Sequence, residues 1–61
     1  LTLLETYRAH AAAERAAAAN TNLPNRRAMF ERSAMTWEAM AESASATAER
    51  ALVNEIAKAQ R

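Results

Sequence analysis

The residues able to do chemistry are few and scattered. His10 and Glu14 stand four apart, and on a helix that interval can set an imidazole and a carboxylate on one metal ion. Two ligands do not make a site, and no HExxH or ExxH run accompanies them. A solvated pair is the reading this spacing supports. Glu38 and Glu42 repeat the interval with two carboxylates, the pairing that acid and base catalysis uses. Here they belong to a regular acidic row with Glu31 and Glu49, and nothing beside them marks a cleft. Ser33, Ser43 and Ser45 have one histidine to share, on another helix, and no oxyanion hole is marked. No enzyme is expected, and no cofactor or metal.

The remaining polar constellation is basic. Arg26 and Arg27 stand at the start of a helical stretch, with Arg32 about one turn on. Positive charge there opposes the helix dipole, so helix stability does not explain these residues. A phosphate contact, a salt bridge to another chain, or solubility would each account for them. A small dimeric regulator binding nucleic acid through Arg26, Arg27 and Arg32 is the alternative kept on this ground. Charge balance argues against it: the net charge is +1 and the arginines lie beside the long acidic row, which leaves little electrostatic footprint.

The elements that must position these groups are helical. From Phe30 to Ala51, residues Phe30, Ala34, Trp37, Ala41, Ala44, Ala48 and Ala51 recur every three or four positions, one stripe on a helix. An earlier helix is expected over about residues 2–19, with Thr2 as N-cap, Glu5 three positions on, and a thin face of Leu4, Tyr7, Ala11 and Ala18. Asn20 to Asn25 form the one break. Asn20 or Asn22 is expected to end the first helix in the left-handed conformation, and Pro24 suits the first turn of the next. The loop is placed at about 20–24 and the second helix at about 25–59. A loop this short makes the helices antiparallel neighbours.

Such a hairpin is lopsided. With the turn centred near Asn22 and Leu23, Ala11 faces Ala34, and Leu4 and Tyr7 sit beside Trp37 and Ala41. Residues 45–61 are left without a partner in the chain. The apolar face also turns: Leu52 and Ile56 are displaced from the Trp37 line, with Val53 further round. Met35 points away from the same line, toward Val53's side. The hairpin core is therefore assigned to Leu4, Tyr7, Ala11, Phe30, Trp37 and Ala41, and contact between chains to Leu52, Val53, Ile56 and Met35. Trp37 is expected to be the largest buried side chain, its loss costing about 3 to 5 kcal/mol.

Composition explains why a partner is needed. Of 61 residues 18 are alanine and only eight are Leu, Ile, Val or Phe, below the share at which cores become poor. There is no cysteine to staple the fold and no zinc-site spacing. The lack of glycine and aspartate, with abundant Ala, Glu and Arg, favours helix. No apolar run approaches the roughly 20 residues needed to span a bilayer, so no transmembrane segment is expected and a cytoplasmic location is the default.

Residues 7–42 also resemble a type of short, alanine- and arginine-rich alphaproteobacterial protein. The likeness rests on Tyr7 and Arg8 before an Ala-rich helix, on Leu23, Asn25, Arg26 and Arg27 at the turn, and on Ser33, Ala34, Trp37, Met40 and Ala41. It implies a helical hairpin and a bacterial origin, and brings no activity or site with it. The expectation is thus an all-α protein forming a single domain over 1–61. It is an antiparallel helical hairpin with a long second helix, associating into a helical bundle or coiled-coil-like oligomer. Its role is non-catalytic protein binding, with a second copy or another helical protein as partner.

Overall fold

The computed structural model describes residues 1–60; position 61, the last of the expected domain, lies outside them. Two helices account for almost all of the described chain, α1 over Leu3–Asn20 and α2 over Pro24–Ala59. They pack against each other as an antiparallel hairpin of very unequal arms.

α1 begins where its sequence caps it. The Thr2 backbone is extended, its hydroxyl accepts the Glu5 backbone N–H at 3.1 Å, and the Glu5 carboxylate accepts the Thr2 backbone N–H at 3.4 Å. Reciprocal bonds of this kind satisfy two donors that a helix start leaves free. Thr2 is therefore the N-cap that its spacing from Glu5 indicated, and the first helical residue is Leu3.

The end of α1 differs from the sequence-based expectation. Neither Asn20 nor Asn22 is left-handed: no described residue has a positive φ, and Thr21 caps the helix in an extended conformation, φ −102° and ψ 141°. Pro24 disfavours the helical region for the residue before it, and Leu23 is accordingly extended at φ −95° and ψ 114°. Thr21 supports the turn with its hydroxyl, which accepts the Leu23 N–H at 3.2 Å. Pro24 then takes the first turn of α2, as its sequence position indicated, where a missing N–H costs nothing.

The contact between the helices is made of methyl groups. The buried residues are Ala11, Ala18, Ala34 and Ala41, with Ala34 wholly enclosed. Around them Leu4, Tyr7, Phe30 and Trp37 are half-buried. No large side chain among the described residues is fully buried. Each buried alanine methyl contributes on the order of 0.8 kcal/mol, so this is a thin core held by helix propensity as much as by burial.

From Ala46 onward every described residue is exposed. α2 continues alone past the start of α1, giving extents of 58 × 18 × 11 Å and a radius of gyration of 16.2 Å. A compact domain of this length would have a radius near 10 or 11 Å by the usual scaling, about two thirds of that value.

Candidate interaction surface

Two clusters fix the hairpin, and each consumes residues that might otherwise do chemistry. At the first, Trp37 of α2 lies against α1. The His10 ring stacks on it with centroids 4.3 Å apart and planes 16° from parallel, and Tyr7 adds a tilted contact at 5.8 Å. His10 is thereby a packing residue. Its neighbour Glu14 is half-buried, and among the described residues no three His, Cys, Asp or Glu side chains gather where a metal could sit. The half-buried state of Trp37 corrects the expectation that it is the largest buried side chain. It remains the hub of the aromatic contacts, but one face keeps solvent because a two-helix layer has no third element to cover it.

The second cluster is a charged fork. Arg15 Nη2 donates to Glu38 Oε1 at 2.8 Å and Arg15 Nε to Glu38 Oε2 at 3.1 Å. Paired bonds of this geometry fix orientation as well as adding attraction. The hydrogen bond from Arg15 holds the Glu38 carboxyl below its ordinary range, and the same bond raises the Arg15 guanidinium. Both side chains are about half exposed, at 48% and 47%, so water screens much of the attraction. Glu38 is thus engaged across the hairpin, and it lines one open pocket together with the exposed Glu42, Arg8 and Glu49. Sequence reading missed this bridge, although an arginine breaking the α1 face and a glutamate flanking the facing stripe were signals for it.

The basic residues at the head of α2 divide. The Arg27 guanidinium donates to the Thr21 backbone carbonyl at 3.1 Å and so fastens the turn. Arg26 and Arg32 are exposed. Ser33, Ser43 and Ser45 are half-buried or exposed along α2, and His10 is taken by Trp37.

The exposed apolar surface is extensive. Leu52 and Val53 are each 61% exposed, Ile56 50% and Met35 61%. Ala44, Ala48, Leu52 and Ile56 follow one another at intervals of four, a row that winds round α2 away from the Trp37 line. Beside this row lies an open groove of about 570 Å³ where α1 begins, lined by Leu3, Leu4, Tyr7, Met40, Ala44 and Ala48 among others. Its walls are mainly apolar, and Leu3 in it was not foreseen from sequence. No polar or charged side chain among the described residues is buried. No helix among them is long and apolar enough to cross a membrane.

Compared with known proteins, the chain matches no family model, no curated protein and no solved structure.

Proposed function

We propose that this protein works by non-catalytic association with protein, through the second half of α2. The carrying observation is the bare arm: from Ala46 on, α2 presents Leu52, Val53 and Ile56 to solvent on a stretch of helix that no other element among the described residues covers. Isolated helices of about 15 residues are marginal in water, and exposed aliphatic side chains at helical spacing mark a surface that binds another helix. Met35 extends the surface on the outer side of the hairpin. Membership among the alanine- and arginine-rich alphaproteobacterial hairpins belongs to the same proposal, resting on the Leu23-to-Arg27 and Ser33-to-Ala41 motifs.

Binding of nucleic acid through Arg26, Arg27 and Arg32 is the weaker reading. Arg27 is drawn into the turn, and the two other arginines make too small a patch to hold a phosphate backbone at physiological salt.

Sedimentation tests the proposal, with the chain measured both in extract and after purification. The expected result is a particle heavier than the 6.7 kDa chain in at least one of the two, reduced to chain mass by Leu52→Glu with Ile56→Glu. A wild-type protein that sediments at 6.7 kDa in both would refute it.

A further inference from the structure

Resting on the association with protein just proposed, we infer that two copies of this chain pair in parallel through the outer face of α2, the face turned away from α1. α1 packs on the side of Ala34 and Ala41. On the other side Met35, Ala39, Ala46, Val53 and Ala57 follow one another at intervals of four and seven, an apolar seam along most of α2, and all five are exposed. Met35 and Val53, each 61% exposed, are its large members. The alanines between them allow a second helix to approach closely.

The charge on either side of the seam is what selects a copy. One flank carries Glu31, Glu38, Glu42 and Glu49, and the other carries Arg32 and Arg50. Glu31 with Arg32, and Glu49 with Arg50, straddle the seam eighteen positions apart, an interval of about five whole turns that returns both to the same lines of the helix. Neighbours in sequence point to different sides of a helix and do not face each other, and no ion pair among the described residues engages any of these four. Arg8 of α1 reaches the acidic flank, where it shares an open pocket with Glu42 and Glu49. Nothing acidic stands three or four positions from Arg32 or Arg50.

A two-fold interface sets a patch against itself. With the helices parallel, the acidic flank of each copy meets the basic flank of the other, so that Glu31 comes level with Arg32 and Glu49 with Arg50 along both edges. With the helices antiparallel, acid would meet acid along one edge and base would meet base along the other. The seam is therefore complementary to itself in one orientation. A uniformly acidic or basic partner would be repelled by one of its flanks.

The test measures purified full-length chain by light scattering from about 1 to 500 µM, with a spin label attached through Asn54→Cys at an exposed position beside the seam. The expected result is a particle of two chains whose labels lie within about 25 Å of each other, since packed helix axes are about 8–10 Å apart. Arg32→Glu with Arg50→Glu makes both flanks acidic and should weaken dimerisation about tenfold or more with helicity unchanged. Adding Glu31→Arg with Glu49→Arg exchanges the flanks and should restore it. Three outcomes overturn the inference while leaving the proposed function standing: a two-chain particle indifferent to these charge changes, one whose labels are about 35 Å or more apart as antiparallel helices would place them, and a single chain after purification together with a heavier complex in extract. A single chain in both settings overturns both.

Discussion

At the scale of residues, two of the groups that look reactive, His10 and Glu38, join the two helices. Glu38 is the clearest case, and its bridge to Arg15 gives a pH dependence with a definite sign. Because the folded carboxyl titrates below its ordinary range, the bridge adds stability above the unfolded carboxylate value, and that contribution disappears as pH falls through the folded one. Thermal melts between pH 7 and 2 should show this loss on the acid side, and Glu38→Gln should remove it while lowering the melting temperature at neutral pH only slightly, as half-exposed pairs are weak. Trp37→Ala should cost about 2 kcal/mol by denaturant titration, roughly half the value for a fully buried tryptophan, since only one face is covered. Addition of His10→Ala should then cost much less than it does in the wild type, because its stacking partner is already gone.

At the scale of elements, the two helices were legible because their signals are local. Thr2 and Glu5 announced a capping box from their spacing, and Pro24 announced a helix start; both are backbone chemistry that needs no distant partner. The end of α1 was not legible in the same way. Asn20 and Asn22 are good left-handed residues, but the constraint that decides the turn comes from Pro24 acting backwards on Leu23. Cross-helix pairs were harder still. That Arg15 meets Glu38, and His10 meets Trp37, depends on the rotation of each helix about its axis, which alanines on several sides of α1 leave unspecified. Ala34 shows how close the helices come, being wholly enclosed among the described residues. Ala34→Leu should push them apart and cost about 1 to 3 kcal/mol in a melting experiment.

At the scale of the whole molecule, the proportions carry the meaning. An arm of α2 with every residue exposed from Ala46 onward is ordered in isolation only by its own propensity. Backbone amides of residues 46–59 should therefore exchange with solvent much faster than those of residues 28–42 when the chain is dilute, and slow down as concentration rises. Equal protection of the two halves at every concentration would contradict the assignment of the arm as a contact surface. The sequence showed the shortage of large apolar residues plainly, and it showed the face turning at Leu52. It did not show the groove at the start of α1, which exists only once Leu3 and Met40 are brought near each other by the hairpin.

The alanine seam between the helices has a mechanical corollary. A surface of bare methyl groups repeats nearly the same profile at every helical pitch, about 5.4 Å, so steric fit alone chooses poorly among settings displaced by one turn. The choice falls to Trp37, with His10 stacked on it and Tyr7 beside it, to Arg15 clasping Glu38, and to the short turn that joins the helices. Those few side chains act as the detents of a slide rule, holding the scale at one value within the travel that the turn allows.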